Sequence, residues 1–155
     1  MAAEVKYIID IHNRKASFNF QFIDEFEAGI VLLGSEMKSI RKGQVNLRDA
    51  FCYFQDNELF VKSLYIKEYE HANQFNHEAR RERKLLLKRT ELKKLEKKTK
   101  EKGFTIIPFR LYINEKGRAK LMIALAQGKK SYDKRDSIKA KDNKRDMDRM
   151  KKIQL

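Results

Sequence analysis

The sequence predicts a mainly β protein with helical insertions: a small OB-like antiparallel β-barrel with about three short helices and a basic C-terminal tail. Three observations lead there. Strand-like segments recur at short spacing between turn signals, a Lys/Arg-rich helical stretch interrupts them, and after Gly128 apolar residues thin out while basic ones continue. A barrel is favoured over an open sheet because closure removes exposed strand edges. At 155 residues the chain has room for one domain and an appendage, which divides it into a barrel domain over 1–128 and a tail over 129–155.

The elements follow in order. From Phe18 the apolar positions alternate through Phe20 and Phe22 to Phe26, and the run Ile30-Val31-Leu32-Leu33 makes a second strand after a turn at 27–29. A short helix over 36–42 comes next, with Ser35 as its N-cap and Gly43 beyond its end. Segments 47–54 and 59–66 form a hairpin through Gln55-Asp56-Asn57-Glu58. A polar loop over 67–79 leads into a helical stretch over 80–102, which splits into two helices near 88–90 because Leu85, Leu92, Leu95 and Thr99 share a face that Leu86 and Leu87 leave. Segments 104–113 and 118–126 form a second hairpin around Asn114-Glu115-Lys116-Gly117, with Pro108 at an edge or a bulge, for six strands in all. The tail holds 11 Lys or Arg against 5 Asp or Glu and few apolar side chains, so it is expected to be disordered when free.

Charge narrows the function. Lys and Arg number 36 against 22 acidic residues, a formal net charge of +14, and such an imbalance favours a polyanion whose counterions are released on binding. Nucleic acid is the expected partner, and with no apolar stretch of spanning length a membrane is not. The first fifteen residues lack a basic region followed by an apolar one, and Cys52 is the sole cysteine, so a reducing, cytoplasmic location is expected.

Chemistry of its own is not expected. Cys52 with His12, His71 and His77 has no metal-ligand spacing, so neither a metal nor another cofactor is expected. Gly128-Lys129-Lys130 lacks the first glycine and the hydroxyl position of a phosphate loop, and Glu27, Glu36 and Asp49 are solvated or paired carboxylates by default. Phe18, Phe20, Phe22, Phe51 and Tyr53 have strand spacing, at which aromatic side chains serve a core more often than they stack on bases. The basic stretch over 80–102 is a candidate surface for an RNA backbone.

Five local motifs carry a resemblance: Asn13-Arg14-Lys15-Ala16, Phe26-Glu27-Ala28-Gly29-Ile30, Gly34-Ser35-Glu36-Met37-Lys38-Ser39, Arg83-Lys84-Leu85-Leu86-Leu87, and Gly128-Lys129-Lys130 with Asp133-Lys134-Arg135. In this order, over roughly residues 9 to 149, the sequence resembles the SsrA-binding protein family, also called small protein B, the partner of transfer-messenger RNA. The resemblance implies an OB-like barrel and an adaptor that is not an enzyme. It would bind the tRNA-like domain of transfer-messenger RNA and help deliver it to stalled ribosomes for trans-translation.

The same resemblance implies that Asn13, Glu27, Leu86 and Lys120 contact RNA. Lys120 suits a phosphate, Asn13 an exposed base or sugar, Glu27 a base amino group or ribose hydroxyl, and Leu86 an unstacked base. It implies that the tail, through Tyr132, Asp133, Lys134, Arg135 and Met150, turns helical in the ribosome's vacant message channel and senses its emptiness against small-subunit RNA. Elongation factor Tu would be an indirect partner through the aminoacylated RNA, and the protein is expected to be a monomer. Three departures stand out: Tyr132 and Phe18 where histidine is frequent, and Glu78-Ala79 in place of Asp-Pro. The alternative from charge and fold alone is a general OB-type binder of single-stranded RNA or a ribosome-assembly protein.

Overall fold

The elements from residue 10 to 128 follow one another as β1 (Asp10–His12), α1 (Arg14–Asn19), β2 (Phe20–Ile30), α2 (Gly34–Arg41), β3 (Val45–Asn46), β4 (Phe51–Gln55), β5 (Glu58–Lys62), β6 (Tyr65–Ile66), β7 (Arg83–Leu86), α3 (Arg89–Thr99), β8 (Phe104–Ile113) and β9 (Ala119–Gly128). They come from a computed structural model, which describes residues 9–71, 76–129, 135, 138–139 and 141–145.

Strands β8, β4, β5, β7, β2 and β9 are hydrogen-bonded in that order, and β9 returns to β8, so six antiparallel strands close into a barrel. β4 meets β8 only at Cys52 and Ile106, and β1 takes over the same edge of β8 from Arg110 to Tyr112. Two short strands, β3 and β6, pair outside the ring. The inward positions of each strand fill the barrel: Leu59 and Val61, Leu85, Leu111, and Leu121 and Ile123 are all buried, with Ile40 of α2 and Leu95 of α3 closing over them. Burying one such side chain stabilises the fold by about 1.5–3 kcal/mol. A smaller cluster outside the ring joins Ala16 of α1 to Ile107 and Ala126, with Phe20, Phe22 and Phe109 around it.

The two predicted hairpins are present. Asp56 and Asn57 both have positive φ between the paired Gln55 and Glu58, as a two-residue type I′ turn requires. Gly43, at φ 72°, follows α2, and the register of β8 slips between Pro108 and Arg110, the predicted bulge.

Five expectations are corrected. The turn at 27–29 does not exist: β2 runs unbroken from Phe20 to Ile30, because Ala28 and Gly29 are small to fit close packing, and its irregularity falls between Phe22 and Asp24. Phe18 lies in helix α1, not in a strand, since α1 uses buried Ala16 to seat on β8 and β9. The first of the two helices expected within 80–102 is strand β7: Arg83 and Leu85 point inward, Lys84 and Leu86 outward, and pairing with β2 and β5 overrides the helical propensity of the run. The break at Lys88 is real and is the N-cap of α3. Helix α2 starts two residues earlier than expected, with Leu33 at its N-cap; the Leu33 N–H donates to Glu36 Oε1 at 2.8 Å, and Ser35 Oγ shares a hydrogen bond with His77 Nδ1 at 2.9 Å. Among the described residues the strands number nine and not six: the two expected over 18–33 are one strand, 59–66 is split into β5 and β6 at Ser63 with φ 62°, and β1, β3 and β7 are additional.

A buried ion pair fixes α2 to β7. Glu36 and Arg83 are both 0% exposed. The Arg83 Nε donates to Glu36 Oε2, Nη1 to the Leu64 carbonyl at 2.7 Å and Nη2 to the Ala79 carbonyl at 3.2 Å. Arg81 Nη2 donates to the other Glu36 oxygen at 2.6 Å. Burial acts to raise the Glu36 pKa, but its bonds to Arg81, the Leu33 N–H and Arg83 outweigh it and hold the carboxyl below the ordinary carboxylate range.

Candidate nucleic-acid interface

Three of the four residues expected to touch RNA meet on one outer face of the barrel. β2 lies between β7 and β9, and Gly29 pairs with Leu86 on one side and with Lys120 on the other; Glu27, two positions back, pairs with Met122. Because Ala28, Leu85 and Leu121 point into the core, strand alternation turns Glu27, Leu86 and Lys120 outward together. They line a shallow concavity with Gly29, Leu87, Lys88 and Glu91. Glu91 caps α3 there, accepting from the Lys88 N–H at 3.2 Å.

Leu86, Leu87 and Gly29 form the apolar part of the concavity between its charged residues. Leu86 is 52% exposed, a large apolar side chain left open to solvent. A Cβ at position 29 would sit 3.3 Å from Leu86 Cβ, so glycine lets Leu86 lie close over β2. A base or ribose can pack on this apolar part, while Lys120 supplies a point charge for phosphate and Glu27 an acceptor. The residues around the core trio, Leu87, Lys88, Glu91 and Tyr112, were not singled out from the sequence. Tyr112 had a usable signal: counting back from the hairpin turn places it opposite Lys120, as the structure does.

Asn13 is not part of this face. It is 9% exposed and sits at the N-cap of α1, with its side-chain Nδ2 donating to the Leu47 carbonyl at 3.1 Å and its backbone N–H to the Phe109 carbonyl at 2.8 Å. It ties the start of α1 to β8 and to the segment after β3, at the rim of a separate concavity with Lys15, Asn19, Arg48 and Phe51.

Of the tail residues, Tyr132, Asp133, Lys134 and Met150 lie outside the described residues. Arg135 is helical and exposed, as are 138–139 and 141–145, and Lys141 Nζ lies 5.9 Å from the centroid of the Phe18 ring. The candidate stacking aromatics divide: Phe20 and Phe22 serve the smaller cluster, with Phe22 5.1 Å from Phe109, whereas Phe51 is exposed and Tyr53 donates its hydroxyl to Glu82 Oε2 at 2.5 Å. His77 is buried between Ser35 and the Ile66 carbonyl, and burial pushes the Cys52 thiol well above its ordinary pKa, so neither is poised for chemistry. Among the described residues no three His, Cys, Asp or Glu side chains gather as a metal site, and no helix is long and apolar enough to cross a membrane.

The model of the SmpB protein family matches residues 10–153. The SsrA-binding protein of Phocaeicola vulgatus is 59% identical over 142 residues, covering 92% of this chain and 95% of its own length. That of Christiangramia forsetii is 53% identical over 148 residues, covering 96% and 94%. A solved chain described as "tmRNA-SmpB: a journey to the center of the bacterial ribosome" superposes with a TM-score of 0.69 at 40% identity, over 84% of this chain and 94% of that one.

Proposed function

Because the chain belongs to the SmpB family, we propose that it is an RNA-binding adaptor that binds the tRNA-like domain of transfer-messenger RNA and accompanies it to stalled ribosomes. The observation that carries the RNA-binding reading to particular residues is the meeting of Glu27, Leu86 and Lys120 on one exterior face. On this reading Lys120 holds the RNA backbone by charge. Glu27, an anion on a surface meant for phosphates, has to accept from a donor that phosphates lack, a ribose 2′-hydroxyl or a base amino group, and so selects geometry and not mere negative charge. Leu86 packs against the sugar or base between them. The adaptor makes and breaks no bond of its own, and its place of action is the ribosome and hence the cytoplasm.

The division of labour is part of the same proposal. The barrel domain, 1–128, takes the RNA, and the basic tail, 129–155, enters the message channel, where its helix presents Lys and Arg to small-subunit RNA. Elongation factor Tu is met only through the aminoacylated RNA it carries.

The test is binding of the full-length protein to the tRNA-like domain, with ordinary tRNA and unstructured RNA as competitors across a salt series. The expected result is selectivity that persists as salt rises, with Lys120→Ala weakening binding and reducing the slope of log K against log salt by about one. Removal of 129–155 is expected to spare that binding and abolish tagging of stalled chains. Equal competition by unstructured RNA with a steep salt slope would leave only a generic basic binder.

A further inference from the structure

Helix α3 sorts its basic residues onto two flanks. On the flank toward β2, Lys94 Nζ lies 2.8 Å from Asp24 Oδ2 and Lys98 Nζ 3.8 Å from Glu101 Oε1. On the other, Arg89, Lys93 and Lys97 recur at four-residue spacing and Lys100 follows at the C-cap, so the four fall in one stripe of the helix surface. Leu95 is buried in the core and Leu92 packs against it, which turns that stripe outward. All four residues are exposed, and among the described residues none of them pairs with a carboxylate.

The stability of the helix does not account for this stripe. Arg89 and Lys93, and again Lys93 and Lys97, are like charges one turn apart, an arrangement that destabilises a helix. Arg89 is also the first residue of α3, where the helix dipole disfavours a cation; only Lys97 and Lys100 sit at the end that favours one. A row of unpaired cations kept against these penalties suits a polyanion, and from Arg89 to Lys100 it runs about 17 Å along the helix axis.

The stripe begins where the proposed RNA-binding face ends. Leu87 lines both the concavity of Glu27, Leu86 and Lys120 and a second one, between α3 and the β4–β5 turn, that Arg89 and Lys93 line. The second concavity also holds Asp56, Glu58 and Glu96, of which Glu58 accepts from Lys84 Nζ at 2.9 Å. These carboxylates keep phosphates out of the groove and leave them the solvent side of the helix.

We propose that the stripe is a second phosphate-binding surface: the backbone of the RNA held on the barrel face continues across α3 over Arg89, Lys93, Lys97 and Lys100. The proposal rests on that RNA-binding face and deepens it by giving the bound strand a direction.

The experiment measures binding of the full-length protein to the tRNA-like domain between 50 and 200 mM salt, with two double variants that remove equal charge. One is Lys93→Gln with Lys97→Gln on the stripe; the other is Lys94→Gln with Lys98→Gln on the paired flank. Glutamine is close to lysine in helix propensity, so both are expected to fold. Each phosphate contact contributes about 0.7–0.9 to the slope of log K against log salt. The stripe variant is therefore expected to lower the slope by about 1.4–1.8, so that across this salt range its affinity falls about tenfold less than that of the wild type. The paired-flank variant is expected to keep the wild-type slope, although it loses the same two charges and uncovers Asp24. The stripe variant is also expected to melt no lower than the wild type, since it relieves like-charge pairs, which separates lost binding from lost fold.

Equal slope losses in the two double variants would overturn the proposal, because the effect would then follow net charge and not position. A wild-type slope in the stripe variant, with Lys120→Ala lowering it, would also overturn it while leaving the barrel face intact. If neither the stripe variant nor Lys120→Ala changed the slope, the RNA face itself would be misplaced and its continuation over α3 would go with it.

Discussion

Two glutamates, nine residues apart, have opposite fates in this barrel. Glu36 is fully enclosed, with both oxygens taken by Arg83 and Arg81 and one also by the Leu33 N–H. Glu27 stands on the outer face, lining the same concavity as Lys120, with no guanidinium bonded to it among the described residues. The difference teaches how to tell a joint from a reader. A carboxylate whose acceptor capacity is filled by the protein can only hold the fold together, while one left incompletely filled at the surface keeps lone pairs for a partner.

The sharpest way to break that contrast is to neutralise the joint. Glu36→Gln leaves the Arg83 guanidinium in the interior without a counter-charge, and loss of one partner of a buried pair costs about 3–5 kcal/mol. The measurement is the denaturant midpoint. Its pH dependence has a definite sign. The folded pKa of Glu36 is depressed, so its contribution is complete above the unfolded carboxyl value, about 4.3, and is lost as pH falls through the lower folded value. Wild type and Glu36→Gln are therefore expected to begin to converge in stability as pH falls below about 4.3 and to meet only below the depressed folded value. A gap that stays constant with pH would mean that Glu36 acts through packing and not through charge.

The reader side is expected to behave in the reverse way. Leu86 is half exposed and its removal opens no cavity in the core, so Leu86→Ala is expected to change stability by less than about 0.5 kcal/mol. Affinity for the tRNA-like domain is expected to fall about tenfold, on the scale of one leucine buried at an interface. Leu85, its immediate neighbour, is buried in the core, and Leu85→Ala is expected to cost about 2–5 kcal/mol of stability. Paired measurements on the two variants separate surface from core within one strand.

That strand also marks where the sequence stopped being legible. Both hairpins, the stop at Gly43 and the bulge at Pro108 were readable, because each depends on residues adjacent in the chain. β7 was read as helix because Arg, Lys and Leu are good helix formers, and only its pairing with β2 and β5 decides otherwise. The Glu36–Arg83 joint spans 47 residues and has no local signature at all. The candidate face was named through family resemblance, and residue alternation alone would not have chosen Leu86 over Leu85. Asn13 was named as an RNA contact for the same reason, and its side-chain amide donates to the Leu47 carbonyl, a contact 34 residues away.

The smallest expected effect tests whether charge on the exterior matters to folding at all. Lys94 of α3 lies 2.8 Å from Asp24 of β2 and 5.8 Å from the centroid of the Phe26 ring, an exposed link between helix and barrel with side chains 60% and 37% accessible. Lys94 acts first to lower the Asp24 pKa, which shows the attraction is felt, yet solvent screens such a pair to about 0.2–1 kcal/mol. Asp24→Asn is expected to lower stability within that range at low salt and to be indistinguishable from wild type near 1 M salt, where the screening length falls to about 3 Å. A loss of several kcal/mol, or one that persists in high salt, would mean that this link shares the character of the Glu36 joint. Enclosure by the protein would then be the wrong criterion for separating the two kinds of carboxylate.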